Sequence, residues 1–337
     1  DSIPSDMIDS TVIEEARSGG SSNSSFQREY CAQFTDGSDS YFSAKKMHDC
    51  TIPDGEKQHT LVKGEPDKKY ILAIDPSFSN SPSSDYFAMS VLELDEEKTN
   101  ESTLVHAYAV AGGDLKDHIK YLHYLVTYFN IVLLIIDNAG YQFIDSANES
   151  ELFRDSRINL KFFDFNSDKT GNDYQQVLLK AKSEYKPKEN VICFKQLFSS
   201  TFLREANEYL QASIDHKRIW FASRTAACGS FFDKVSAQAV PIKLMPYENK
   251  GDLIEFQDDI IYQTRKQCAL VEVKTTAKGI QTFDLPQHLK RSTSSNRARK
   301  DNYTTLMLGN WALKAYNDLK NTEVQQINHT FTPRMLG

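Results

Sequence analysis

Six consecutive apolar residues, Ile131-Val132-Leu133-Leu134-Ile135-Ile136, end abruptly in Asp137. A strand with one wet face alternates apolar and polar residues. A run apolar at every position is what a central strand covered on both faces needs. The chain must therefore build a sheet enclosed between layers and leave a carboxylate at the edge of that sheet. The run is the longest unbroken apolar stretch and falls far short of the ~20 residues that cross a bilayer, so a membrane span is excluded. With 337 residues there is ample chain for a core, in one large domain with appendages or two modest ones.

The pattern around that run predicts a mixed sheet. Tyr70 to Ile74 ends in Asp75, and after a Ser/Pro/Asn loop Tyr86 to Leu94 reads as a second strand and Thr103 to Ala111 as a third, an antiparallel meander. Gly112-Gly113 stops the third strand. Asp114 can cap a helix whose Leu115, Ile119, Leu122, Leu125, Val126 and Phe129 share a face. Beyond Asp137, strand-like runs (Leu160 to Phe165, Val191 to Phe194, Ile219 to Ala222) alternate with helical patterns near Tyr174 to Tyr185 and Thr201 to Ile214, as crossover units do. Residues 225–249 read as an insertion, and Asp252 to Cys268 as a helix. Strand-like Leu270 to Thr275 and Gln281 to Leu285 precede a last helix, Lys300 to Leu319, with Tyr303, Leu306, Met307, Trp311 and Lys314 on one face. Residues 1–68, polar and carrying a Gly/Ser run at 19–25, read as a connector with a small packed segment. Residues 69–320 form the domain, and 321–337 a flexible tail.

Three strong elements each deliver one aspartate at a terminus: Asp75 after the first strand, Asp137 after the buried strand, Asp301 at the start of the last helix. Open α/β folds keep their sites at the carboxyl edge of the sheet. A carboxylate cluster there is costly, and divalent cations with oxygen ligands relieve the repulsion. Two such ions can activate a water and stabilise a leaving oxygen in phosphodiester cleavage. Each aspartate also has an ordinary reading, as a turn former or a helix cap. Jointly, a meander, a helix, a buried strand and a late helix in this order point to an RNase H-like fold, a mixed sheet with helices on both faces, whose sites are built at those termini.

The residues carrying these aspartates resemble the nuclease domain of tailed-bacteriophage large terminase subunits. The matching motifs are Ala73-Ile74-Asp75-Pro76 with Ser84-Asp85-Tyr86-Phe87-Ala88, then Leu134-Ile135-Ile136-Asp137-Asn138-Ala139-Gly140, then Arg299-Lys300-Asp301-Asn302-Tyr303-Thr304-Thr305-Leu306. Phe26 to Phe34 with Tyr41-Phe42 resembles the stretch that joins that family's ATPase motor to its nuclease. The resemblance covers most of residues 24 to 320. It implies a metal-dependent endonuclease that cuts concatemeric double-stranded viral DNA during packaging, with Asp75, Asp137 and Asp301 holding Mg²⁺ or Mn²⁺ in two sites and Asp85 as a further metal-site acid. Some relatives have Glu where Asp137 stands. The implied partners are DNA, an ATPase motor of the same natural chain, a portal protein and a small terminase subunit, and the implied location is the host bacterial cytoplasm rather than the mature virion. No G-x-x-x-x-G-K-[ST] phosphate loop occurs, and the start, Asp1-Ser2-Ile3-Pro4, has neither an initiator Met nor a signal region, so the chain reads as a fragment without the motor.

A net charge of -7 (39 basic against 46 acidic residues) excludes a basic nucleic-acid coat, so a polyanion must meet a local patch. Lys290, Arg291, Arg297, Arg299 and Lys300 supply one, in a stretch free of acidic residues just before Asp301. Backbone contacts of that kind carry no base information. Other candidates are weaker. Asp284, before Pro286, reads as a turn residue, and His118 and His123, five apart, as ordinary polar positions rather than a metal pair. Trp220 and Trp311 read as core. The five cysteines, Cys31, Cys50, Cys193, Cys228 and Cys268, form no C-x-x-C pair and read as buried thiols. Competing functions are another RNase H-like nuclease of resolvase or transposase type, an actin-like phosphotransferase, which would need glycine-rich phosphate loops, and a non-catalytic DNA-gripping or portal-docking module.

Overall fold

The structure, a computed structural model, describes residues 40–53, 60–79, 81, 83–164, 173–186, 189–222, 252–276, 279–290 and 298–330. A seven-stranded sheet in the order β5-β6-β4-β1-β2-β3-β7 forms its centre. The strands are β1 (Tyr70–Asp75), β2 (Tyr86–Leu94), β3 (Ser102–Ala111), β4 (Ile131–Asp137), β5 (Asn159–Asp164), β6 (Asn190–Gln196) and β7 (Ile219–Phe221). The β1, β2 and β3 strands form the antiparallel meander. The β4 strand joins β1 in parallel, β6 and β5 continue in parallel, and β7 closes the far edge beside β3. This is the RNase H-like mixed sheet.

Every residue from Tyr70 to Ile74 and from Leu133 to Ile136 is 0% exposed. Successive strand residues point to opposite faces, so burial this complete requires a layer on each face. One layer is α9 (Asp301–Thr330) with α6 (Ser200–Asp215) and α7 (Asp252–Leu270), and α9 lies along β1 and β2. The other holds α2 (Leu115–Tyr128), α3 (Tyr141–Glu149) and α4 (Glu151–Ser156), which pack on one another. Helix α5 (Asp173–Glu184) follows β5. A short α1 (Ala44–Asp49), a hairpin of β8 (Glu272–Thr275) and β9 (Gln281–Asp284), and a one-turn α8 (Gln287–Lys290) complete the described elements.

Several expectations change. The segment set apart as a connector is built into the same core from Ser40 onward: Phe42, Met47, Cys50, Leu61 and Val62 are buried in it, and the Tyr41 N–H donates to the Val271 carbonyl over 2.8 Å. Asp114 does cap α2, accepting from the Lys116 N–H, but Leu115 is exposed and His118, Tyr121 and Tyr124 are buried instead. His118 is therefore no surface position. It stacks on Phe87, with centroids 4.1 Å apart, and bonds the Tyr108 hydroxyl over 2.9 Å. A histidine whose ring is flat against one aromatic and bonded to another fits a core that polarity alone places outside. The last helix continues to Thr330, past the expected end near Leu319, because no proline interrupts it before Pro333. Its first ten residues, 301 to 310, are buried on all sides rather than on one face. Trp220 and Trp311 are half-buried. Cys50, Cys193 and Cys268 are buried free thiols. The proposed insertion, Phe26 to Phe34, Cys31, Cys228, Arg291 and Arg297 lie outside the described residues.

Candidate active site

Strand pairing brings the first two aspartates together. In the parallel β1–β4 ladder Ile74 stands opposite Ile136, so the next residue of each strand, Asp75 and Asp137, leaves the sheet at the same edge. Neighbouring strands lie about 4.8 Å apart, and in-register residues of parallel strands point to the same face. The Thr304 hydroxyl, one helical turn after Asp301, favours the ionised form of the Asp75 carboxyl, and α9 packs along β1, so that face is the one α9 covers. Asp301 opens α9 and is 7% exposed, and its Oδ2 accepts the Tyr86 N–H over 2.7 Å, which ties the helix start to the start of β2. Asp85, next to Tyr86, is exposed, and its charge acts on Asp301. The structure thus puts all four sequence-predicted acids at one edge.

Electrostatics shows how close they are. Burial, then the charges of Asp301 and Asp137, push the Asp75 carboxyl well above the usual carboxylate range, against the pull of Thr304 and Lys300. Burial raises Asp301 to about 6, opposed first by the Tyr86 N–H. Burial also raises Asp137, opposed by the N–H groups of Ala139 and Asn138. Of the three, Asp75 is the one whose carboxyl is raised by the charges of both others.

Among the described residues no three His, Cys, Asp or Glu side chains form a ready-made cage for an ion. The carboxylates are near enough to repel and too spread to enclose a cation unaided. The donor set still fits a hard divalent ion: all are carboxylate oxygens, the proton affinity of Asp75 is raised by the charges of Asp301 and Asp137 as well as by burial, and Mg²⁺ needs only one or two carboxylates, taking its remaining ligands from water and phosphate.

The turn after β4 is shaped by Gly140. A Cβ there would lie 2.6 Å from both the Pro76 Cγ and the Ile136 Cδ1, so only glycine lets the exits of β1 and β4 pack side by side. Gly140→Ala should cost roughly 1–3 kcal/mol by overpacking against the rigid proline ring. Denaturant unfolding checks this; an unchanged midpoint would show that the turn relaxes freely.

The cations proposed for DNA divide. Lys290 is exposed and pairs with Asp284, and Lys300 pairs with the same carboxylate over 3.1 Å while acting on Asp75. Asp284 is therefore an anchor for two lysines, and these hold its carboxyl below the usual range although burial opposes them. Arg299 is 7% exposed and turned inward: its Nε donates to the Ser84 carbonyl over 2.9 Å, its Nη1 to the Tyr86 hydroxyl over 3.3 Å, and it lies 4.4 Å from the Tyr86 ring centroid. Thr304 and Tyr86 were not singled out from the sequence. Thr304 follows Asp301 by three residues, the spacing of neighbours on a helix surface, and this signal was available. Exposed Phe78, in the loop after β1, and Tyr141, just after Asp137, flank the acids, and the Lys195 Nζ stands 5.1 Å from the Tyr141 ring centroid. A cleft of about 510 Å³ lined by Lys68, Glu93, Asp95, Ser102 and Trp220 lies at the opposite end of the sheet, away from the acids.

No protein-family model matches the chain, and no curated protein matches it. Among solved structures it is similar to the large terminase nuclease from thermophilic phage G20c, at 14% identity and a TM-score of 0.42, covering 80% of this chain and 97% of that one. It is also similar to the nuclease domain of the large terminase subunit gp2 of bacterial virus Sf6, at 9% identity and a TM-score of 0.36 over 80% of this chain and 98% of that one. A third is the HK97 bacteriophage large terminase, at 10% identity and a TM-score of 0.41, where the match covers 81% of this chain and 43% of that protein. The G20c nuclease has also been solved with bound magnesium and with bound cobalt. No helix among the described residues is long and apolar enough to cross a membrane.

Proposed function

We propose that the chain is a metal-dependent endonuclease that cleaves double-stranded viral DNA during genome packaging by two-metal phosphodiester hydrolysis. The observation that carries the reading is the meeting of Asp75, Asp137 and Asp301 at one sheet edge, with Asp75 raised by burial and then by the charges of the other two. Asp75 is the shared carboxylate, Asp137 and Asp301 complete the set from β4 and α9, and exposed Asp85 stands beside it. Two divalent cations, Mg²⁺ or Mn²⁺, would supply there an activated water and stabilisation of the leaving oxygen.

The residues of the chain do the rest. Thr304 and Lys300 favour the ionised form of Asp75, and the Tyr86 N–H fixes one oxygen of Asp301. Phe78, Tyr141 and Lys195 offer stacking surface and positive charge beside the acids, which suits a polyanion carrying bases. Concatemer cleavage, an ATPase motor in the natural chain, and portal and small-subunit partners rest on the resemblance of the sequence motifs.

Supercoiled plasmid incubated with the chain in Mg²⁺, Mn²⁺ or EDTA tests the reading. The expected result is nicked and linear DNA with either metal and none in EDTA. Failure of the folded chain to cut in either metal would count against a nuclease active by itself.

A further inference from the structure

We propose that Arg299 is a positioning residue of the acidic site rather than a DNA contact: it clamps Ser84 and Tyr86, and so fixes both Asp85 and the Tyr86 N–H that holds Asp301. This rests on the nuclease reading for its consequence, but not for its geometry.

The side chain is buried, so it has little surface to offer a phosphate. Its guanidinium uses two edges and one face at once. The Nε bonds the Ser84 carbonyl, the Nη1 bonds the Tyr86 hydroxyl, and the plane lies near the Tyr86 ring. Ser84 and Tyr86 flank Asp85, so the clamp grips the chain on either side of that acid. Arg299 also lies two residues before Asp301, whose Oδ2 takes the Tyr86 N–H. The result is a closed circuit: Arg299 to Tyr86 through the side chain, Tyr86 to Asp301 through the backbone, and Asp301 to Arg299 through two peptide bonds. The β1–β2 loop and the start of α9 are fastened across 215 positions of sequence, and two acids of the site are placed by the same fastening.

Only a planar fork can fill this role. A lysine keeps the charge but has one donor centre, so it cannot hold a carbonyl and a hydroxyl while lying along a ring. A phosphate contact, by contrast, would be met nearly as well by lysine.

The test compares wild type with Arg299→Lys and Arg299→Gln in the full chain, each first shown to melt cooperatively. Three readouts are taken: hydrogen exchange of the Tyr86 amide against amides of β4, cleavage kinetics with Mn²⁺, and the salt dependence of DNA binding. Positioning predicts Tyr86 exchange roughly tenfold faster with β4 unchanged. It predicts kcat lower by roughly 10–100-fold in both variants, with KM for DNA changed by less than about twofold. The salt slope stays at the wild-type value, and the Mn²⁺ concentration for half-maximal rate rises. A lysine variant with wild-type kcat, or a raised KM with a salt slope smaller by about one, would assign Arg299 to DNA and overturn the proposal. If wild type neither binds Mn²⁺ nor cuts, the nuclease reading fails; the exchange readout still decides the clamp, which an unchanged Tyr86 amide refutes.

Discussion

Replacing Asp75 by asparagine should lower Mn²⁺-dependent plasmid nicking on the order of 10³-fold, about 4 kcal/mol of transition-state stabilisation. Asp75 is the one acid raised by the charges of both others, so in this reading it is the residue that ions at both sites would share. Asp137→Asn and Asp301→Asn should each lose most of the activity as well, and combining them with Asp75→Asn should add little, since groups acting as one unit are not additive. Initial rates on supercoiled DNA measure this. Cutting that survives Asp75→Asn at more than a tenth of the wild-type rate would remove Asp75 from the chemistry.

The second large effect has the opposite sign on stability. Asp301 carries a carboxyl raised from 3.8 to about 6, chiefly by burial. For an acid whose folded value lies above its unfolded value, the stabilising contribution is fully present below the unfolded value and is lost as pH rises through the folded one. Between about pH 4 and pH 6 the metal-free chain should therefore lose stability from this group, of order 3 kcal/mol at neutral pH. Asp75 and Asp137, both raised, act in the same direction. Asparagine at position 301 keeps an oxygen for the Tyr86 N–H and carries no charge. Asp301→Asn should accordingly melt several degrees above wild type at pH 7 without metal, and the gap should close at pH 4. Mn²⁺ should raise the wild-type melt, by about 2.7 kcal/mol at a hundred times its Kd, and raise the Asp301→Asn melt by less, since the pair Asp75 and Asp137 remains. Melts across pH with and without Mn²⁺ check each part; a variant less stable than wild type at pH 7 would show that the carboxylate is not under strain. Asp284 runs the other way: held low by Lys290 and Lys300, it contributes stability that is lost as the solution becomes acidic.

Why activity and stability should oppose each other here is visible in the sheet. Runs of apolar residues fix β1 and β4 in the interior, and the first polar residue of each is caught at the boundary, partly desolvated and beside a like charge. Those same runs made this much of the site legible beforehand: each ends in an aspartate, and a strand buried on both faces allows few neighbours. The start of α9 was legible for the same reason, since Asp301 opens an apolar helical stretch.

Direction and partnership were not legible. A cluster of basic residues reads as a solvated patch, yet Arg299 points inward and Lys300 meets Asp284 from β9, a strand whose place beside them no local pattern announces. His118 looked polar because its partners, Phe87 and Tyr108, come from β2 and β3. The short helices α3 and α4 were missed because each buries only one to three side chains, too few for a clear period. Residues 1–68 read as a connector with a small packed segment because their apolar residues are few, and how fully Phe42 and Met47 are buried in the main core was not visible in that pattern.

The most direct test is crystallographic. Crystals soaked in Mn²⁺ should show anomalous density between Asp75 and its neighbours, one peak shared with Asp137 and one with Asp301, and neither in crystals of Asp75→Asn. Density found only at other acidic groups, such as Glu93 and Asp95 at the far end of the sheet, or no density at Asp75 in metal-soaked crystals, would contradict a metal-dependent site at this edge.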